Sequence, residues 1–196
     1  MLTVYLDFKS PAAYLAIRPT LDLAQRCALE IAWRPFRAIE REVPKLGGDE
    51  TVGQRHRRVR AAAQRALAIK YARHQDIDLR FPETPACTDL ALGVLAQIRE
   101  DPLPFIHAAF RAYWHDHADL DDDATVKRLL AESGVTMTGP LSEARPLLRV
   151  LQDDAEARGV VGVPGYLIND QIFVGREHLP WIEDLLLHGG EPSNQA

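Results

Sequence analysis

The sequence is poor in cysteine: Cys27 and Cys87 are the only two in 196 residues, far apart and outside any C-x-x-C pair. Neither a zinc knuckle nor a dithiol redox centre can be written from them, and both read as small buried residues. A long apolar run is also missing. No stretch approaches the roughly 18 residues of a membrane span, and Met1-Leu2-Thr3-Val4-Tyr5-Leu6 meets Asp7 before any signal-peptide core could form. The expectation is a cytoplasmic protein with no membrane partner. Nor is there a basic excess, since 23 Lys and Arg face 28 Asp and Glu for a net charge of -5. That balance disfavours a nucleic-acid partner, which needs a basic surface to neutralise phosphates. A glycine-rich phosphate loop, an internal repeat and a low-complexity tract are likewise absent.

With 46% hydrophobic and 26% charged residues, the chain is neither disordered nor a disulfide scaffold. At this length it buries roughly 70% of its unfolded surface, enough for one full core or two small domains. Thr3 to Phe8 sets Val4, Leu6 and Phe8 on one face at period two, which predicts a first strand. Ser10-Pro11 follows, a hydroxyl at an N-cap position and a proline at the first helical position, before Tyr14, Ile17, Leu21 and Ala24 recur at helical spacing. Pro19 falls inside that pattern and predicts a kink or a restart near Arg18. Leu29, Ile31 and Trp33 alternate with polar or small residues up to Pro35, giving a second strand parallel to the first.

From Asp49 to Gly159 the pattern is helical, punctuated by prolines and glycines, with caps expected at Asp123 and Ser142. Tyr166-Leu167-Ile168, a turn at Asn169-Asp170-Gln171, and Ile172-Phe173-Val174 predict a hairpin closed by Gly175. Glu177 to Leu187 predicts a last helix on the sheet. Strands at both ends of the chain around a helical block suggest one sheet assembled from the termini. Two other clusters read as surface. The tract His115-Asp116-His117-Ala118-Asp119 with Asp121, Asp122 and Asp123 joins a helix end to a helix start, so no metal is expected there. Arg55, Arg57, Arg58, Arg60 and Arg65 fit a solvated helix face, with carboxylate binding as the alternative.

The segments Phe8-Lys9-Ser10-Pro11-Ala12-Ala13-Tyr14-Leu15-Ala16, Trp33-Arg34-Pro35-Phe36 and Gly159-Val160-Val161-Gly162-Val163-Pro164, in this order, resemble the DsbA-related branch of the thioredoxin fold. Within it, they are similar to 2-hydroxychromene-2-carboxylate isomerases and kappa-class glutathione transferases. The resemblance implies an α/β protein, a thioredoxin-like βαβ and ββα sheet domain (1–48 and 156–196) with a large all-helical insertion (49–155). It implies glutathione as cofactor, a small aromatic substrate and a homodimer. Ser10 takes the place of the first redox cysteine and becomes the catalytic residue, holding the glutathione thiolate rather than attacking. Pro11, Val163, Pro164, Arg176 and Glu177 complete the implied cofactor site, with Val163-Pro164 cis and its backbone open to a bound peptide. The family commonly has Thr or Ser where Gly165 stands and Asp where Glu177 stands. Two further classes stay open: a relative of the thiol-disulfide oxidoreductases without the C-x-x-C pair, and a non-catalytic thiol-binding protein.

Overall fold

A computed structural model, describing residues 1–38 and 51–188, gathers β1 (Leu2–Leu6), β2 (Ile31–Pro35), β3 (Gly165–Ile168) and β4 (Gln171–Val174) into one sheet. The order is β2-β1-β3-β4. β1 runs parallel to β2, Val4 opposite Trp33, and antiparallel to β3, Tyr5 opposite Gly165. As a central strand β1 is buried on both faces: Leu2, Val4, Tyr5 and Leu6 are all at most 6% exposed. It ends before Asp7, two residues short of the alternation seen in the sequence. The β3-β4 hairpin turns on Asn169 and Asp170 alone, at φ 46° and 61°, with Gln171 already in the strand. Two positive φ values match the twist of the flanking strands, and Asn and Asp tolerate them best after glycine.

The first helix, α1 (Pro11–Arg26), passes through Pro19 without restarting. Proline removes the donor that would bond the carbonyl of Leu15. The side-chain amide of Gln75 supplies it instead, donating to Leu15 O at 3.0 Å from the carboxyl end of α2 (Val52–His74). Then follow α3 (Asp89–Leu95), α4 (Leu103–Asp116), α5 (Asp123–Ser133) and α6 (Ala144–Ala157). Asp122, not Asp123, caps α5, its carboxylate accepting from Thr125 N–H at 2.8 Å. Ser142 caps nothing, because it lies inside a 3-10 turn, Leu141–Glu143, that leads into α6. A similar turn, Arg176–His178, comes before α7 (Leu179–His188), so the last helix begins after Glu177.

All four strands come from the ends of the chain and α2 to α6 from between them, while one cluster of buried side chains joins the two, from Leu2, Phe8 and Tyr166 to Leu92, Phe110 and Leu148. The boundary expected at 48/49 lies outside the described residues. Within the helical layer α3 crosses α6 at Gly93, where an added Cβ would collide with the backbone of Ala144. Helix propensity alone favours Ala over Gly by about 1 kcal/mol. Gly93→Ala is nevertheless expected to destabilise the protein by about 2 kcal/mol, because a backbone carbonyl cannot rotate away as a side chain can. A lowered urea midpoint would show this; a raised one would mean the helices separate freely.

Candidate active site

The loop between β1 and α1 is held from the helical layer. Phe8 is fully buried, its ring edge-on to Phe105 and Phe110, and its carbonyl accepts from the Trp114 indole at 2.9 Å. Asp7, also 0% exposed, accepts from Thr88 Oγ1 at 2.7 Å, Ala38 N–H at 2.8 Å and Lys9 N–H at 3.2 Å. Burial pushes its carboxyl above the ordinary range; these bonds and the Lys9 charge pull the other way. Ala38 is fixed in turn through its neighbour. Arg37 forks Asp89 at 2.8 and 2.6 Å, and its N–H donates to Gln152 at 2.7 Å.

This scaffold delivers Ser10 to the amino end of α1. Its backbone is extended, and its Oγ accepts from Ala13 N–H at 3.2 Å, with Pro11 at the first helical position as the sequence predicts. Among the described residues the Ser10 hydroxyl has no acceptor, and it stands beside the positive end of the helix. β1 leaves the sheet here, β3 enters it and β4 leaves it, which brings Ser10, Val163-Pro164 and Gly175-Arg176-Glu177 to one end of the sheet. The Val163-Pro164 bond is cis. Pro164 O accepts from Gly175 N–H at 2.8 Å, whereas the N–H and C=O of Val163 make no backbone hydrogen bond to a described residue.

Arg176 and Glu177 diverge from there. The Arg176 guanidinium stacks on the exposed ring of Tyr71 in α2, 3.4 Å from its centroid. The Glu177 carboxylate folds against Gly175, whose φ of 106° and lack of a Cβ make the room. Both sit near the Tyr166 phenol, which burial pushes up to about 12 and whose hydroxyl shares a hydrogen bond with Thr20 Oγ1 at 3.1 Å. Gly165 is sterically required: a Cβ there would lie 2.9 Å from the Gly162 carbonyl, so the Thr or Ser usual in the resembling family does not fit this backbone.

The cysteines are not at this site. Cys27 is the carboxyl cap of α1, about 25 Å along the helix from Ser10 at 1.5 Å per residue. It is half-buried, and Cys87 is exposed, correcting the expectation that both are buried. Desolvation, and then the nearby Asp89 and Asp121 carboxylates, hold the Cys87 thiol above its usual value, against a backbone hydrogen bond from Asp89. The His115 to Asp123 tract does structural work: His117 turns in the left-handed region to end α4 and its Nε2 bonds Arg80 O at 3.1 Å, while Asp122 caps α5. Among the described residues no group of three or more His, Cys, Asp or Glu is arranged to hold a metal. In the basic stretch, Arg55, Arg57 and Arg60 are exposed on α2, and Arg65 lies over the Phe81 ring at 4.4 Å. No helix of the described residues is long and apolar enough to cross a membrane.

The family model for DSBA-like thioredoxin domains matches residues 1–187. The chain belongs to that family. The DSBA-like chain is also 27% identical over 191 residues to 2-hydroxychromene-2-carboxylate isomerase from Sphingobium xenophagum, covering 93% of this chain and 96% of that protein. A solved 2-hydroxychromene-2-carboxylate isomerase superposes with a TM-score of 0.67 at 19% identity, covering 94% of this chain and 93% of the other. The cytosolic disulfide reductase DsbM from Pseudomonas aeruginosa, solved with GSH, superposes with a TM-score of 0.54 at 15% identity, covering 95% of each. At those identities the two structures establish the DSBA-like fold, and the near full-length match to an isomerase supports an enzyme at the level of the family.

Proposed function

We propose that the chain is a glutathione-dependent isomerase of the 2-hydroxychromene-2-carboxylate isomerase type, with Ser10 as the residue that activates the glutathione thiol. The observation that carries this reading is the Ser10 hydroxyl, which caps α1 with its oxygen while its hydrogen has no protein acceptor among the described residues. A thiol of pKa near 8.5 is only a few per cent ionised at neutral pH, and lowering it by about two units takes roughly 2.7 kcal/mol. A hydrogen bond from Ser10 to the thiolate supplies on the order of 1.5 to 3 kcal/mol, and the helix end roughly 0.3 to 1 more.

Glutathione is a short peptide, and the unpartnered backbone of Val163 is suited to pair with it as an added strand segment, beside Pro11 and Pro164. Glu177, or Arg176 once released from Tyr71, is placed to meet its charged γ-glutamyl end. Glutathione held there would supply a thiolate able to add reversibly to an unsaturated aromatic keto acid and leave again unchanged, with no net oxidation, while Ser10 would hold the sulfur and Val163, Arg176 and Glu177 the peptide. Because Ser10-Pro11-Ala12-Ala13 carries no sulfur, a disulfide oxidoreductase reading has no dithiol to work with.

A calorimetric titration with reduced glutathione, with the ultraviolet absorbance of the thiolate followed against pH, tests this. Saturable binding with the bound thiol ionising below its free value is expected. No binding, or a bound thiol that ionises as it does in water, would remove glutathione from the mechanism.

A further inference from the structure

We propose that the cleft between α1, α4 and the end of α5 binds the carboxylate of an aromatic 2-oxo acid substrate, with Arg111 as its anchor. The proposal rests on the isomerase reading above and names the part of the site that recognises the substrate. The cleft has a volume of about 330 Å³, the lower end of the range for small-molecule sites, and is lined by Tyr14, His107, Arg111, Glu132 and Ser133 among others.

The charges in it are unevenly spent. Glu132 is engaged by Arg128 at 2.9 Å, and the Ser133 hydroxyl bonds the carbonyls of Leu129 and Leu130 at 2.7 and 3.1 Å. Arg111 forms no ion pair with a described residue. Of the titratable groups lining the cleft with it, Glu132 is held by Arg128, and His107 and Tyr14 do not compensate it. Burial, and next to it the Arg111 charge itself, hold His107 below the usual imidazole value despite Asp101, so the ring is neutral near pH 7. Burial likewise keeps the Tyr14 phenol protonated, opposing the pull of Arg111. The wall therefore offers a guanidinium flanked by neutral donors. A 2-oxo acid presents only acceptors there, a planar carboxylate for the guanidinium fork and a ketone oxygen for a hydroxyl or ring N–H.

Position ties the cleft to Ser10. Tyr14 N–H donates to Ser10 O at 3.1 Å, so the two residues stand four apart on one face of α1, about 6 Å along the helix axis. The Tyr14 ring lies flat on Phe110, centroids 4.8 Å apart at 7°, which fixes its place at the cleft wall. The cleft wall at Tyr14 therefore lies about one turn of α1 from Ser10.

Phenylpyruvate, an aromatic 2-oxo acid without the reactive double bond, separates recognition from turnover. It is titrated calorimetrically into wild type, Arg111→Gln and Arg111→Lys, with phenylacetone as the ketone lacking the carboxylate and reduced glutathione as a parallel titrant. Arg111 is exposed, so neither substitution disturbs the core. Wild type is expected to bind phenylpyruvate and prefer it to phenylacetone. Arg111→Gln should weaken phenylpyruvate at least about tenfold, the size of one lost charged hydrogen-bond pair, with Arg111→Lys between and glutathione unchanged in all three. Phenylpyruvate that does not bind wild type, binds no better than phenylacetone, or binds Arg111→Gln within twofold of wild type overturns the proposal. So does a loss confined to glutathione, which would give the cleft to the cofactor. If glutathione binds none of the three while Arg111→Gln still loses phenylpyruvate, the isomerase reading fails and the acid site stands.

Discussion

Replacing Asp7 by leucine is expected to cost about 3 kcal/mol or more of stability, read as a fall in the urea midpoint. The substitution leaves Thr88 Oγ1 and the N–H groups of Ala38 and Lys9 without their acceptor at a site that is 0% exposed. Each buried donor left unpaired costs roughly 1 to 3 kcal/mol, and the threonine alone can turn elsewhere. Asp7→Asn keeps one acceptor oxygen and can donate to Thr88, so it should cost less. The two proteins also differ in their response to pH. Burial raises the Asp7 carboxyl above 3.8, against the opposing bonds from Thr88, Ala38 and Lys9, so the folded protein holds this proton more tightly than the unfolded chain. Such a group contributes fully below its unfolded value, and its contribution is lost as the pH rises through its folded one. Asparagine does not titrate. The stability advantage of wild type over Asp7→Asn should therefore narrow from about pH 4 toward neutrality, measured by urea denaturation at several pH values. A widening gap would show that the ionised form is the one the fold prefers.

The second large effect is on catalysis. Under the proposed mechanism Ser10→Ala removes the hydrogen bond to the thiolate, worth about 1.5 to 3 kcal/mol, so kcat/KM should fall roughly 10- to 100-fold. It also removes the helix cap and about 1 kcal/mol of stability. Ser10→Gly separates the two, since glycine at a cap costs only a few tenths of a kcal/mol yet carries no hydroxyl. Both variants should lose activity alike while differing in midpoint, and the bound thiol should ionise closer to its free value in each. Turnover at the wild-type rate in Ser10→Gly would mean that the helix end activates glutathione without the serine.

The features legible in the sequence are those whose causes are local. Ser10-Pro11 opens α1 because cap and first-turn chemistry involve neighbours, and the β3-β4 hairpin follows from two residues that accept positive φ. The parallel β1-β2 pair follows from the crossover between them. What could not be read depends on residues far along the chain. Pro19 sits inside a continuous helix because the carbonyl of Leu15, which the proline deprives of its donor, is bonded by Gln75, 60 residues beyond Leu15. Asp7 read only as the acid that ends an apolar run, since its partners Ala38 and Thr88 are 31 and 81 residues distant. The candidate site was legible in the same measure. Ser10, Pro11, Val163 and Pro164 belong to short motifs around two strand ends, whereas Arg111 and Tyr14 face one cleft only through the packing of α4 on α1. Arg176 carried no signal of its contact with Tyr71, and nothing periodic announced the 3-10 turn that holds Glu177 short of the last helix.

The bond from Trp114 to Phe8 makes the protein its own optical instrument. Of its three tryptophans, Trp33 and Trp114 are buried at 8% and 3%, while Trp181 is 56% exposed beside Phe173. Water-borne quenchers reach Trp181 first, so the emission that survives them comes from the interior. Part of that light arises from an indole hydrogen-bonded to a carbonyl two residues before Ser10. Its colour and lifetime then follow the polarity and looseness of that loop, in the unmodified chain and without an attached dye.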